Sequence, residues 1–149
     1  MRAVVQRVHS AKCVVDGEVV SQIQTGLIAF IGVFDDDTDE DIAKMANKIS
    51  GLRVFRDNEG KLSLNTAAVN GGIMLISNFV LAGRVTRGFR PDCTHAAKYD
   101  LGKEAFDKLA LEIGKVLPTC TGVFGAHMDI TVENDGPINV VIDTKELRK

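Results

Sequence analysis

The first third of the chain carries the residue patterns of antiparallel strands. Residues 2–8 favour a strand, and Lys12–Asp16 and Glu18–Ile23 flank the dipeptide Asp16-Gly17. Aspartate and glycine tolerate the positive φ angles of a tight hairpin turn, so these two runs predict a hairpin. Gly26–Phe34 is almost wholly apolar. That pattern is typical of a central strand covered on both faces.

A change of period predicts the first helix. From Thr38 onward the apolar residues are spaced by three and four positions: Ile42, Met45, Ala46, Ile49 and Leu52. This spacing places them on one face of a helix. Thr38 is a suitable N-cap, and Gly51 is expected to take the left-handed conformation at the helix exit. Leu52–Phe55 then favours a strand.

The second half repeats this alternation of strand and helix. Ile73–Ala82 is mostly apolar and predicts a strand. A second helix is expected from a cap at Asp100 to the break at Pro118. Further on, Met128, Ile130 and Val132 alternate with polar residues. Asn134–Pro137 is then expected to turn the chain into a last strand, closing a C-terminal hairpin.

Together these elements predict a single α/β domain spanning residues 1–149. Its mixed, largely antiparallel sheet would carry two packed helices. At 149 residues a chain buries enough surface to fold without disulfides or a structural metal.

Composition narrows the class of protein. Three cysteines without CxxC spacing make a disulfide framework or a zinc knuckle improbable and favour a reducing compartment. No segment is apolar enough to span a membrane, and residues 1–10 do not resemble a signal peptide, so a soluble cytoplasmic protein is expected. The net charge of −2 argues against a protein that coats nucleic acid, DNA included, by bulk electrostatics. Arg84, Arg87 and Arg90 form a local basic group, either a solvated loop or a weak grip on RNA.

Searches for common catalytic motifs fail. There is no P-loop, GxSxG or HExxH motif, and His9, His95 and His127 are isolated. No metal site or cofactor is therefore predicted. Cys93 and His95 leave a thiol hydrolase open as an alternative, although such a cysteine is more often a small buried hydrophobe.

Two other segments attract attention. Ser77 and Asn78 interrupt an apolar strand, which is costly unless the two side chains find partners. Either the two side chains open into a pocket, or Ser77 is a core serine with hydrogen-bond partners and Asn78 lies at the surface. In Asn134–Pro137 the glycine leaves the main chain uncovered, and the Gly136–Pro137 bond is a candidate for the cis form. The alternative there is an ordinary turn.

The order of motifs along the whole chain resembles the D-aminoacyl-tRNA deacylase family. Ser77–Leu81 resembles that family's Ser-Gln-Phe-Thr-Leu motif, and residues 134–139 resemble Asn-x-Gly-Pro-Val-Thr. Five further segments are similar in order and spacing: residues 2–8, 26–33, 52–55, 87–91 and 122–126. The chain departs from the family at Asn78, Val80, Ile138 and Asn139, where the motifs have Gln, Thr, Val and Thr.

The resemblance implies an enzyme that hydrolyses D-aminoacyl-tRNA, and glycyl-tRNA, without metal or cofactor. Valine at position 80 has no hydroxyl and cannot be a nucleophile. This fits the family picture, in which the 2′-hydroxyl of the terminal adenosine assists and the protein positions the ester. Ser77, Asn78, Phe79 and Val80 would then form the catalytic pocket through side chains and backbone.

The resemblance also implies a homodimer that excludes L-amino acids. Gly136 and Pro137, joined by a cis bond, would enter from the partner subunit and block an L side chain. The pocket for the terminal adenosine and the ester would include Leu81, Phe124 and Met128, although plain core packing is equally reasonable for the last two. Two alternatives stay open beside the thiol hydrolase: a module that binds the tRNA acceptor end without hydrolysis, and a deacylase with relaxed chiral selectivity.

Overall fold

A computed structural model describes residues 1–147 as one layered α/β domain. Within these residues eight strands and two α-helices follow one another: β1 (Arg2–Val15), β2 (Glu18–Ile23), β3 (Gly26–Gly32), α1 (Asp39–Gly51), β4 (Phe55–Arg56), β5 (Leu62–Leu64), β6 (Gly72–Ser77), α2 (Tyr99–Gly114), β7 (Thr119–Thr121) and β8 (Asp129–Asp143). The predicted fold class, a mixed sheet with two packed helices, is confirmed.

The long strand β1 organises the sheet. Its first half pairs with β3 and its second half with β2, while β8 follows it along the other edge, all antiparallel. Beyond β3 the strands β6 and β7 are added in parallel. A separate two-stranded ribbon joins β4 to β5. Within the large sheet the antiparallel pairs all involve β1, and the two helices lie in the connections between the parallel strands.

Apolar side chains cover both faces of the central strands. On one face Leu27, Ala29 and Ile31 of β3 pack with residues of α1 and α2, such as Met45 and Leu109. On the other face, side chains of β1, β3 and β6 form a second cluster: Val8, Ala11, Cys13, Ile28, Met74 and Ile76. The prediction that Gly26–Phe34 is central and covered on both faces is therefore confirmed over Gly26–Gly32.

The predicted C-terminal hairpin is wrong. Residues 129–143 form one strand that follows β1 throughout, with Val132 opposite Ala11 and Asn139 opposite Gln6. The register shifts between Gln6 and Val8 of β1: Gln6 lies opposite Asn139 of β8, and Val8 lies opposite Asn134. An irregularity of this kind absorbs extra residues without reversing the chain.

Several element boundaries also differ from the prediction. Residues 2–15 are one strand rather than two. The strand expected over Ile73–Ala82 ends at Ser77, and Phe79–Ala82 is a 3₁₀ turn. Of Leu52–Phe55, only Phe55 belongs to a strand.

The helix ends differ in detail as well. Thr38 precedes α1 as predicted, but Gly51 does not take the left-handed conformation, and the following Leu52 is extended. Helix α2 is preceded by Lys98 rather than Asp100 and ends at Gly114, before Pro118.

A largely buried polar network joins Met1, Thr144 and Lys145 to the start of α1. The amino group of Met1 pairs with the Asp37 carboxylate and donates to the Thr144 hydroxyl. Thr144 in turn donates to Asp41 over 2.6 Å, and the Lys145 ammonium lies 3.1 Å from the same carboxylate. Burial alone would raise the pKa of Asp41, but the hydrogen bonds from Thr144, Thr38 and Lys145 hold it well below its ordinary value. Neither helix of the described chain is long and apolar enough to cross a bilayer.

Candidate functional site

A cavity of about 460 Å³ opens where the central parallel strands end. Its wall is formed by the ends of β3 and β6, the start of α2 and the loop before β8. The lining residues are Ile31, Val33, Ser77, Asn78, Phe79, Ala97, Tyr99, Gly102, Phe124, Gly125, Ala126 and Met128. Sequence reasoning placed Ser77, Asn78, Phe79, Phe124 and Met128 in one pocket, and the structure brings these five together.

The end of β6 shapes one side of this cavity. The Asn78 amide donates to the carbonyl of Ile31 over 2.8 Å, which holds the end of β6 against β3. The chain then turns sharply, leaving Phe79 and Val80 largely exposed at 65% and 45%. The amides at the start of such a turn have no earlier carbonyl within it to receive them.

The turn itself is held in place from behind. Arg2 donates to the carbonyl of Leu81 over 2.9 Å and pairs with Asp143 at 3.0 Å. A Cβ at Gly32 would lie 2.8 Å from that of Leu81, so the turn packs directly on the glycine. Leu81 and Val80 were predicted as site residues, but both lie beside the cavity rather than in its wall.

Aromatic rings form the opposite wall. Tyr99 meets Phe124 edge to face at 5.3 Å between ring centroids, and Phe106 lies behind Phe124 at 5.7 Å. A Cβ at Gly125 would come within 2.7 Å of the Tyr99 ring, so only glycine fits there. Sequence reasoning missed Tyr99. The available signal was that it is the only tyrosine in the chain.

The Gly136–Pro137 segment is fixed on β8, away from this cavity. Its peptide bond is cis, and both residues are exposed. The buried Arg7 holds the preceding residue, donating to the Asp135 carbonyl over 3.1 Å and to its carboxylate over 3.2 Å. The Asn134 side chain donates to the Arg7 carbonyl over 2.9 Å. Within one protomer, neither Gly136 nor Pro137 lines the cavity.

The thiol alternative has no support in the geometry. Cys93 and His95 do not line the cavity, and the exposed His95 lies 3.7 Å from Asp35. Burial raises the pKa of the Cys13 and Cys120 thiols, which disfavours their thiolates. No carboxylate, imidazole or thiol lines the described cavity, so the hydroxyls of Ser77 and Tyr99 have no adjacent base there. Within residues 1–147, no three His, Cys, Asp or Glu side chains are grouped to hold a metal ion.

The three predicted arginines lie on one exposed loop. Arg84 and Asp92 join its two ends through backbone hydrogen bonds, and Arg87 and Arg90 lie between them. None of the three lines the cavity.

A larger depression between α1, α2 and β7 is a less suitable site. It measures about 1220 Å³ but is an open groove, bordered by charged side chains that include Asp107, Lys108 and Lys115. Lys108 there is already paired with Asp39 and Glu104. The smaller cavity is more enclosed and gathers polar groups at the ends of parallel strands, where ligands bind in open α/β sheets.

Known proteins match the chain over nearly its full length. A model of the family described as D-Tyr-tRNA(Tyr) deacylase matches residues 4–143. The chain belongs to this deacylase family. A D-aminoacyl-tRNA deacylase of Thermotoga petrophila is 44% identical over 148 residues, covering 99% of both chains. That of Clostridium acetobutylicum is 45% identical over the same length and coverage. The family membership predicted from the sequence motifs is confirmed, and with it the class of enzyme, a hydrolase of ester bonds.

Solved structures agree with the deacylase fold. A structure titled c-Myc DNA Unwinding Element Binding Protein superimposes with a TM-score of 0.92 at 32% identity, covering 96% of this chain and 98% of that one. A probable eukaryotic D-amino acid tRNA deacylase superimposes with a TM-score of 0.81. The latter is only 14% identical over 95% of this chain and 97% of that chain, so it supports the fold alone.

Proposed function

We propose that this chain hydrolyses the ester bond of D-aminoacyl-tRNA, releasing the D-amino acid and the tRNA. The observation that carries the proposal is the cavity in which the Ser77–Phe79 strand end faces Phe124 and Met128, in a chain of the deacylase family. A volume of about 460 Å³ accommodates a nucleoside with a small acyl group. The aromatic wall suits stacking of the terminal adenine, and the strand end suits the ester.

Catalysis relies on positioning rather than on a side-chain nucleophile. The cavity wall contains no carboxylate, imidazole or thiol among the described residues, and Val80 has no hydroxyl. An aminoacyl ester is already activated, so fixing it beside an assisting hydroxyl contributes several kcal/mol. We assign that hydroxyl to the 2′ position of the terminal adenosine. Backbone amides at the start of the 3₁₀ turn would stabilise the developing oxyanion.

Chiral selection comes from the Gly136–Pro137 segment of a second protomer. The segment is exposed, held rigidly through Asp135 and remote from its own cavity. Its main chain would face the α-carbon of the amino acid, where an L side chain collides and a D side chain or the hydrogen of glycine does not. A 10³-fold rejection requires about 4 kcal/mol, which a rigid wall supplies. The functional unit is therefore a homodimer acting on D-aminoacyl-tRNA and glycyl-tRNA.

The first test is single-turnover deacylation of D-tyrosyl-, L-tyrosyl- and glycyl-tRNA. We expect the D-tyrosyl and glycyl esters to be lost and the L ester to persist. A D-tyrosyl-tRNA ending in 2′-deoxyadenosine should resist hydrolysis while still binding. Binding without hydrolysis of any ester would favour the acceptor-end binding module. Loss of the L ester would indicate relaxed selectivity.

Mixed dimers test the shared site. Ala126→Trp fills the cavity and should abolish hydrolysis, and Gly136→Ala displaces the selecting segment and should slow D-ester hydrolysis about 10²-fold. A heterodimer would join the intact cavity of one protomer to the intact segment of the other. Mixing should restore one working site per heterodimer. Mixed dimers that form but stay inactive would contradict a site built from two protomers.

A further inference from the structure

The loop of residues 84–92, named here the arginine loop, is a defined projection. The backbones of Arg84 and Asp92 exchange two hydrogen bonds of 2.9 and 2.8 Å, closing its base like a hairpin. The Asp92 carboxylate accepts from the Thr94 amide over 3.0 Å and fixes the descending side. Gly88, with φ of 69°, lies near the tip.

The arginine loop rises from the rim of the cavity. The residues before it line the cavity up to Phe79, and the residues after it line the cavity again from Ala97. The Gly83 amide donates to the Val80 carbonyl over 2.8 Å, and the Ala97 amide to the Val33 carbonyl over 2.9 Å. The chain before the loop is therefore held at Val80, beside the cavity, and the chain after it is held at Val33, in the cavity wall.

The tip presents an aromatic ring between two free cations. Phe89 is fully exposed, at 101%, and makes no ring contact within residues 1–147. Arg87 and Arg90 flank it, are exposed and form no ion pair or hydrogen bond with the described chain. An apolar ring left in water forfeits the stabilisation that burial would give it. Its position between unpaired guanidinium groups matches an anionic, base-bearing ligand better than a purely apolar one.

We propose that Phe89 stacks on a base of the unpaired nucleotides that precede the aminoacylated 3′ end of tRNA, with Arg87 and Arg90 on the adjoining phosphates. The inference rests on the proposed function, because that function places the terminal nucleotide in the cavity at the foot of the loop. Single-stranded RNA is recognised by aromatic stacking combined with arginine contacts to the backbone. A single ring and two cations are too little for stable attachment to a membrane, which requires more than one anchoring signal.

Phe89 is thus a positioning residue for the polynucleotide, and its contribution is separable from the chemistry. Phe89→Ala should raise KM for D-tyrosyl-tRNA about tenfold, as expected for one lost stacking contact, with kcat unchanged. The D-tyrosyl ester of adenosine alone lacks the preceding nucleotides, so its hydrolysis should not change. Phe89→Trp keeps an aromatic face and should restore KM. Val85→Ala, which removes another exposed apolar side chain of the same loop, is the matched control.

A binding measurement makes the test independent of turnover. An acceptor-stem RNA that carries no amino acid and has 2-aminopurine in its unpaired nucleotides should lose fluorescence on binding the wild type and Phe89→Trp. Its fluorescence should not fall on binding Phe89→Ala. An unchanged KM together with unchanged quenching in Phe89→Ala would overturn the proposal. So would an equal loss with the adenosine ester, or a Phe89→Ala protein that dissociates into monomers, which would assign the ring to a second copy of the chain. Quenching that depends on Phe89, in a protein that deacylates no ester, would support the role of Phe89 and refute the proposed function. If the RNA does not bind at all, both the role of Phe89 and the proposed function are refuted.

Discussion

The Arg7 guanidinium on β1 holds Asp135 on β8 twice, through the main-chain carbonyl at 3.1 Å and through the carboxylate at 3.2 Å. A third hydrogen bond of 2.7 Å joins the same side chain to the carbonyl of Val54. One buried cation therefore fixes the residue that immediately precedes Gly136. The orientation of the proposed selecting segment depends on this contact.

Removing the carboxylate should loosen the segment. Asp135→Ala leaves the buried Arg7 with only carbonyl partners, and we expect a loss of about 1–2 kcal/mol in unfolding free energy. Deacylation of D-tyrosyl-tRNA should fall at least tenfold, because small misplacements of a positioning group are costly. Urea unfolding and single-turnover rates measure the two effects. Asp107→Ala, in the exposed pair with Lys103, is the control and should change neither.

Glycine is required at position 136 by its backbone conformation. Its φ is 143°, and an added Cβ would lie 2.5 Å from the backbone nitrogen of Ile138. Gly136→Ala should therefore displace the segment and reduce D-ester hydrolysis about 10²-fold. Gly114→Ala is the matched control, because nothing lies within 4 Å of the added Cβ. Wild-type rates in Gly136→Ala would mean that the segment does not contact the substrate.

The side chain at position 80 should have little influence on the rate. Val80 lies beside the cavity and is 45% exposed. Introducing the hydroxyl of the family motif, Val80→Thr, should change kcat less than about threefold, since no base in the cavity wall would activate it. Cys93→Ala should likewise change kcat less than about threefold. A gain of two orders of magnitude in Val80→Thr would instead identify a hydroxyl nucleophile.

Tyr99 should contribute to substrate binding through its ring. Tyr99→Ala removes the edge-to-face partner of Phe124, and such pairs contribute about 0.5–1.5 kcal/mol. We expect KM for D-tyrosyl-tRNA to rise by up to tenfold. Tyr99→Phe keeps the ring and should behave as the wild type. Leu111→Ala, which removes an exposed side chain of the same helix, serves as the control; an equal effect there would point to a general loosening of α2.

The polar network at Asp41 should make stability depend on acid. The folded pKa of Asp41 lies below its ordinary value of 3.8. The stabilisation is therefore complete above about pH 4 and is lost as the pH falls toward the lower folded value. Asp41→Asn should lower the free energy of unfolding by about 3 kcal/mol at pH 7. In this variant the free energy of unfolding should also fall less steeply as the pH is lowered. Urea unfolding at pH 7, 4.5 and 3 measures this. A parallel decline in both proteins would assign the acid sensitivity to other carboxylates.

Local patterns were sufficient for much of the fold. The apolar run of β3 and the three-and-four spacing of α1 report burial directly, because each depends only on neighbours along one element. The order of several motifs along the chain likewise identified the family, and one of them, Ser77–Leu81, includes residues on one side of the cavity. The end of β6 was harder to locate. Residues 79–82 are apolar again after Asn78, yet they leave the sheet where β3 ends and no longer offers hydrogen bonds.

Tertiary structure decided the features that depend on distant partners. Asn134–Pro137 has the composition of a turn, but β1 is long enough to pair with residues on both sides of it, so the strand continues through an irregularity. Tyr99 is an unremarkable helix residue until Gly125 admits its ring beside Phe124. The sequence by itself determined the two helices, the central strand, the family and the polar strand end. Which residues meet at the cavity was set by long-range pairing and packing, which leave no periodic signal in the chain.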